Sequence, residues 1–267
     1  MKMKIAAFNI KQLGEEKISK QEIVTDIVEI LLRYDIILIM EYRDKSEEVA
    51  KQLQEELNKK ATNHYSYRVS KPLGRGRYKE QYLFIYRDDI VQVERVFQYD
   101  DMQPGDEDAF SREPFVIQFK SPTTVVRDFV LISQHTAPED AVKEIDELYD
   151  VTLKIMKEWN TENIMILGDF NADGRYVSKN KMKTIRLRTD KNFYWLIGDD
   201  EDTTTRLSTD KAYDRIVVYG NTFYQGIVPN SAKPFNVQAE LGWSEERALN
   251  ISDHYPVEVE LKLINQE

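Results

Sequence analysis

Short apolar runs alternate along the chain with charged stretches in which apolar residues recur every three or four positions. Lys4–Ile10 reads as a strand. Ser19-Lys20-Gln21-Glu22 has the form of a capping box, in which Ser19 accepts from first-turn amides and Glu22 reaches back. Ile23, Ile27, Ile30 and Leu31 follow at helical spacing and predict a helix to about Arg33. Asp35–Met40 is a continuous apolar run rich in β-branched residues, the mark of a strand buried on both faces. Ser46–Asn58 predicts a second amphipathic helix. Residues 65–70, 81–87, 91–98, 113–120 and 127–134 read as successive strands separated by turn residues. Pro138 opens a third helix with Val142, Ile145, Tyr149 and Met156 on one face. Asn163–Leu167, Asp214–Tyr219, Thr222–Val228 and Tyr255–Leu263 complete the strands. Many strands with a few helices predict layered α/β architecture, and the lack of a linker or repeat predicts a single domain over residues 1–267.

Composition narrows the picture. Of 267 residues, 37 are Lys or Arg and 47 are Asp or Glu, a net charge of −10, which argues against a protein that coats nucleic acid. Hydrophobic residues make up 41%, too many for disorder. No cysteine is present, which excludes disulfides, thiolate metal sites and a thiol nucleophile. No apolar run is long enough to span a membrane, and MKMKIAAFNI has no signal-peptide pattern. Zero cysteine by itself points to a reducing compartment, or to a mature or engineered form.

Two segments are alike: DIILIMEYRD at 35–44 and NIMILGDFNAD at 163–173. Each is a buried strand that ends abruptly in a carboxylate, Glu41 in one and Asp169 in the other. Strand ends are rigid supports for a site. An acid there often marks only the passage into solvent, but two segments of one form weaken that explanation. His135 and His254 also fall at strand ends, whereas His64 lies in a polar turn and reads as solvated. Two imidazoles near carboxylates fit a general acid and a general base. Glu41, Glu80, Asp169, Asp214 and Asp253, with Asn9 and Asn171, suit a hard cation such as Mg²⁺ or Ca²⁺ and metal-assisted phosphate chemistry. Arg68–Lys79 holds five basic residues and no acid; Gly174–Lys191 holds seven and one acid. Such runs are usually solvated, but these flank the candidate site and contain Tyr78 and Tyr176. The acidic clusters at 100–108 and 199–202, the second followed by three threonines, suit oxygen coordination of calcium.

Taken together, KIAAFNI, EYRD, YKEQYLFIYR, SREPF, GDFNA, AYDRIVV and SDHYPVEV resemble the deoxyribonuclease I family, part of the endonuclease/exonuclease/phosphatase superfamily, in order from about residue 3 to residue 263. GDFN and SDH alone would equally fit phosphatases, sphingomyelinases or abasic-site nucleases. The resemblance implies a four-layer sandwich of two packed, mostly antiparallel sheets flanked by helices, and divalent-metal-dependent endonucleolytic cleavage of double-stranded DNA to 5′-phosphate ends. It implies acid–base pairs His135/Glu80 and His254/Asp214. Glu41, Asp169 and Asp253 would hold catalytic Mg²⁺, with Asn9 and Asn171 near the phosphate. Arg43, Arg75, Arg77, Tyr78, Arg112, Tyr176 and Tyr213 would contact DNA. Structural Ca²⁺ sites would fall at Asp101, Asp108, the Phe110 carbonyl and Glu113, and at Asp202 and Thr204. The family is secreted and disulfide-bonded, so an extracellular, monomeric, engineered cysteine-free member is expected; Gly174 and Lys211 stand at expected cysteine positions, and the loop at 102–105 lacks a second, small disulfide. Actin binding, which the family places near Tyr67–Val69 and Phe115, is expected to be weak or lost, because Arg68 and Lys71 add charge and Phe115 adds bulk. A phosphoesterase of another specificity, or a scaffold with little activity, are the competing expectations.

Overall fold

The computed structural model describes residues 2–102, 104–105 and 107–265. Gln103 of the loop at 102–105 and Asp106 of the acidic cluster at 100–108 lie outside the described residues. The strands are β1 (Met3–Leu13), β2 (Ile36–Tyr42), β3 (Tyr65–Val69), β4 (Gln81–Arg87), β5 (Gln92–Gln98), β6 (Phe115–Lys120), β7 (Asp128–His135), β8 (Ile164–Asp169), β9 (Phe193–Trp195), β10 (Asp214–Tyr219), β11 (Lys233–Pro234) and β12 (Val257–Leu261). One sheet runs β11-β12-β1-β2-β4-β3 and the other β5-β6-β7-β8-β10-β9.

Each sheet has one parallel pair at its centre, β1 with β2 and β7 with β8; the other pairings are antiparallel. A parallel pair needs a crossover. Helix Gln21–Leu31 crosses from β1 to β2, and helix Ala141–Trp159 crosses from β7 to β8. The likeness between 35–44 and 163–173 is therefore topological: each segment is the second strand of a β-helix-β unit, one unit per sheet.

Alternation along the strands builds the layers. Ile5, Ala7, Leu38, Met40, Phe84, Phe119, Leu131, Met165 and Leu167 share the core between the sheets. The intervening Ala6, Phe8, Ile37 and Ile39 face the first helix layer, against Ile27, Leu31, Leu53 and Leu57. Val130, Ile132, Ile164 and Ile166 face the second, against Ile145, Leu148, Val151 and Ile155. Burial on both faces is why β2 and β8 read as unbroken apolar runs.

Three expectations give way. Ser19 does not cap the helix that follows; it closes the short helix Glu15–Ile18, its Oγ donating to the Glu16 carbonyl at 2.6 Å, and the helix Gln21–Leu31 begins at Lys20 with no side-chain cap. Thr222–Val228 is not a strand. Gly220, at φ +83°, turns the chain out of β10 and starts a short helix, Asn221–Gln225, that buries Phe223. Phe115 adds no bulk to the surface, because it lies in the core between the sheets with its ring 6.0 Å from that of Phe84; Arg68 and Lys71 are exposed. Where the resemblance places cysteines, Lys211 lies along the backbone of Gly174, whose added Cβ would stand 3.2 Å from Lys211 Cε.

Candidate active site

The two parallel pairs end side by side. Asn9 comes from β1, Glu41 from β2, His135 from the last residue of β7 and Asp169 from the last residue of β8. Their antiparallel neighbours supply the rest from strand beginnings. Glu80 immediately precedes β4, Asp214 opens β10 opposite Asp169, and His254 lies just ahead of β12. Residues of seven strands thus meet at one end of the sandwich because these two strand directions meet there.

Two acid–imidazole pairs converge. His135 Nδ1 is 2.8 Å from Glu80 Oε2, and His254 Nδ1 is 2.7 Å from Asp214 Oδ2. The outer nitrogens, Nε2 of both rings, each lie 3.5 Å from the same atom, Asp169 Oδ2. Asn9 Nδ2 donates to that oxygen at 3.0 Å, and the Asn171 amide donates to Asp169 Oδ1 at 3.0 Å. The Asn171 side chain donates to Thr136, which follows His135. Glu41, held at φ +59°, accepts from the Gln12 amide at 2.9 Å and meets Asn9 Nδ2 at 3.5 Å. Asp253 stands aside: its side chain is 40% exposed and lies 3.9 Å from His254 Nε2.

Charge coupling sets the protonation states. Burial alone would raise the Glu80 carboxyl, but His135, Arg112 and the Tyr78 hydroxyl outweigh it and bring it down to about 2. Burial and Arg112 pull His135 down, yet Glu80 and Asp169 leave it above its usual value. His254 is raised well above its usual value, since Asp214, Asp169 and Asp253 overcome its burial. Asp169 stays depressed against burial because both imidazoles and two amide donors face it. Asp214 is pushed up by burial and by Asp169, against the pull of His254.

A ring of aromatic and basic residues surrounds these groups. The Tyr78 hydroxyl donates to Glu80 at 2.8 Å, and the Arg43 guanidinium lies 4.4 Å over the Tyr78 ring. Arg112 pairs with Glu80 at 3.2 Å and donates to the His135 and Thr136 carbonyls. Tyr213 lies between His254, 6.3 Å away, and Tyr176, 5.8 Å away. Arg77 is exposed, and Arg75 is tied to Asp108 and Asp140. The sequence pattern did not single out Tyr82, whose hydroxyl accepts from the His135 amide at 2.8 Å and donates to the Arg112 carbonyl. It reads as one more aromatic of β4.

Glu41 and Asp169, which share Asn9 Nδ2 at 3.5 and 3.0 Å, offer carboxylate oxygens suited to a hard cation. Ligand atoms of Glu41, Glu80 and His135 lie within 4.8 Å of one another, and so do those of Asp169, Asp214 and His254. Asp214 Oδ1 and Asn9 Oδ1 are buried without a hydrogen-bond partner, a state that is costly until something pairs with them. A third cluster, Asp101, Asp108 and Glu113, lies in the acidic loop. There Asp101 and Asp108 both have positive φ, and Asp101 Oδ1 is buried without a partner while Oδ2 accepts from the Phe110 amide. Asp202 and Thr204 differ. Asp202 Oδ1 already accepts from the Thr204 amide, the Thr204 hydroxyl and the Lys211 amide. The pair forms a closed hydrogen-bonded turn and belongs to none of the acid clusters found among the described residues.

A sandwich of two such sheets, with acid–imidazole pairs meeting over carboxylates, defines a class of metal-assisted phosphoesterases. A sequence model of the endonuclease/exonuclease/phosphatase family matches residues 19–254. The chain is 52% identical over 260 residues to deoxyribonuclease-1 of Oryctolagus cuniculus, covering 97% of this chain and 92% of that one. It is 47% identical over 262 residues to deoxyribonuclease gamma of Mus musculus, covering 97% and 84%. Among solved structures, an endonuclease/exonuclease/phosphatase from Bacteroides vulgatus aligns with a TM-score of 0.66 at 14% identity over 99% of this chain and 100% of that one. This chain belongs to the endonuclease/exonuclease/phosphatase family and, within it, to the deoxyribonuclease I family.

Proposed function

We propose that this chain, acting as one domain, is a divalent-metal-dependent endonuclease that hydrolyses double-stranded DNA to 5′-phosphate ends with little sequence preference. The observation that carries the reading is the convergence of both imidazole Nε2 atoms on one buried carboxylate oxygen, each ring backed by its own acid. Deoxyribonuclease relatives of about half identity supply the substrate class.

The scissile phosphate lies over Asp169, between the two rings. One imidazole takes a proton from the attacking water as its oxygen bonds to phosphorus. The other donates a proton to the leaving 3′ oxygen as the P–O bond breaks, so the products are a 3′-hydroxyl and a 5′-phosphate. Glu80 and Asp214 fix each ring's tautomer through Nδ1 and stabilise its charged form. Glu41 and Asp169, with Asp253 at the rim, would hold Mg²⁺, and Asn9 and Asn171 would face the phosphate. Bound Mg²⁺ would neutralise phosphate charge in the transition state. Arg112 is placed to meet a non-bridging oxygen, while Arg43, Arg75, Arg77, Tyr78, Tyr176 and Tyr213 meet the flanking backbone and grooves. Asp101, Asp108, Glu113 and the Phe110 carbonyl are a structural Ca²⁺ site. The enzyme is read as an extracellular monomer with weak or absent actin binding, an expectation that now rests on Arg68 and Lys71 alone.

A duplex labelled at one end tests the substrate and the product chemistry together. Mg²⁺-dependent nicks that DNA ligase reseals directly, with no turnover of sphingomyelin or an inositol phosphate, are expected. Nicks that need end repair before sealing, or faster turnover of either small phosphoester, would displace the reading.

A further inference from the structure

Between the acidic turn at Asp202 and β10 the chain makes an excursion that returns to the site. Thr203 is fully buried. Its Oγ1 lies 2.7 Å from Asp214 Oδ2, the same carboxylate oxygen that meets His254 Nδ1. Two amides, Tyr213 and Asp214, donate to that hydroxyl oxygen at 3.1 and 3.2 Å. With its acceptor capacity taken up in this way, the hydroxyl has one proton to place. The Lys211 carbonyl at 3.2 Å is the competing acceptor. The carboxylate is nearer and charged, so it forms the stronger bond.

The backbone around Thr203 joins the two halves of the acid–base pair. The Thr203 amide donates to the Lys211 carbonyl, upstream of Asp214, at 2.9 Å. The Thr203 carbonyl accepts from the Tyr255 amide, next to His254, at 2.8 Å. Thr204 bridges His254 in antiparallel fashion, and the Thr205 amide donates to the Asp253 carbonyl at 2.9 Å. Three consecutive residues thus stitch the strand that carries Asp214 to the segment that carries His254.

We propose that Thr203 is the positioning residue of the Asp214–His254 pair, its hydroxyl fixing the carboxylate rotamer that aims His254 Nε2 at the reacting phosphate. The inference rests on the nuclease reading of the same site. Without the hydroxyl, Asp214 Oδ2 keeps His254 as its remaining side-chain partner and the carboxylate is free to turn about its Cβ–Cγ bond. The ring then loses its orientation; among the described residues of the DNA-contacting rim, the change reaches only the Tyr213 backbone amide, which loses an acceptor.

The test uses Thr203→Val, which keeps shape and removes the hydroxyl, with Thr203→Ser, His254→Ala and the Thr203→Val/His254→Ala double variant. Each is assayed on plasmid duplex with Mg²⁺, with thermal denaturation alongside. Thr203→Val should lower kcat about tenfold or more with KM nearly unchanged, and Thr203→Ser should recover most of that loss. In the His254→Ala background Thr203→Val should cost nothing more, because its effect acts through the ring. If Thr203→Val fails to fold, Thr203→Ala against Thr203→Ser makes the same comparison of hydroxyl lost with hydroxyl kept. Wild-type kcat in the variant lacking the hydroxyl, or an equal loss with and without His254, would overturn the proposal. A fully active His254→Ala enzyme would instead overturn the nuclease reading beneath it.

Discussion

At the scale of single residues, the site is a set of proton-holding pairs whose states are fixed by their neighbours. Glu80 is the clearest. Its carboxyl is depressed from an ordinary 4.5 to about 2, so it stabilises the fold above pH 4.5 and loses that contribution as pH falls toward about 2. His135, raised by the same partnership, contributes below its ordinary 6.5 and loses its share as pH rises through the raised value. In chelator, Glu80→Gln should therefore melt lower than wild type at mildly acidic pH, and the gap should close as pH approaches about 2. A gap independent of pH would refute the coupling. Glu144 behaves in the opposite sense. It is buried behind the His135 strand end, accepts from Gln134 Nε2 and the Ala137 amide, and is pushed by burial to about 8. A carboxyl raised in this way favours the fold below 4.5 and erodes it as pH rises to about 8. Glu144→Gln should lessen the fall in melting temperature across that interval, and an unchanged slope would contradict it. The site histidines were legible in the sequence because only three histidines exist and two fall at strand ends, while their pairing with Glu80 and Asp214 came from the family resemblance. Glu144 was not, because its meaning comes from burial that a helix pattern does not report.

At the scale of elements, the site depends on two β-helix-β units ending at one place. Gly168, in GDFN, shows how closely the second unit is built. At φ +144°, a Cβ there would lie 2.0 Å from the Gln134 carbonyl oxygen of β7. Gly168→Ala should cost on the order of 3 kcal/mol or more and displace Asp169 from His135, read by urea unfolding and by loss of cleavage. Full stability would show that the β7–β8 contact is looser than described. The acidic loops separate in the same way. Asp101 has a buried oxygen without a partner, whereas Asp202 Oδ1 accepts three hydrogen bonds within its turn. Calcium should raise the melting temperature of the wild type, and Asp101→Asn should abolish most of that rise. An undiminished rise in Asp101→Asn would place calcium elsewhere. The strands buried on both faces were the most readable elements, since β2 and β8 leave no polar face to break the run. The segment Thr222–Val228 misled because its residues suit a strand, and only the turn at Gly220 commits it to a helix. Ser19 misled because a short helix ahead of it claimed its hydroxyl.

At the scale of the whole molecule, a net charge of −10 coexists with a nucleic-acid substrate because the charge is sorted. Part of the acidic charge lies in the site and in the loop at 100–108, where a bound cation would offset it. Of the two basic runs, Arg186 is absorbed by Asp146 and Asp150 and Arg188 by Asp199, so part of the second run serves the fold. Arg175, exposed over Tyr176, and Arg77 and Arg43 beside Tyr78 remain at the rim of the site. Contact with DNA should then be local, brief and sensitive to salt, as turnover needs. Layered α/β architecture could be expected from the strand count and four layers from the family resemblance, but the meeting of the two parallel pairs could not, because sheet order is not written in local pattern. The central claim, that the two imidazoles convergent on Asp169 cleave DNA, is met most directly by supercoiled plasmid nicking with Mg²⁺. The wild type would be compared with His135→Ala, His254→Ala and the double variant. Each single change should remove nearly all nicking, chelator should do the same to the wild type, and the double change should add little. Nicking that persists at the wild-type rate in either single variant would contradict the account.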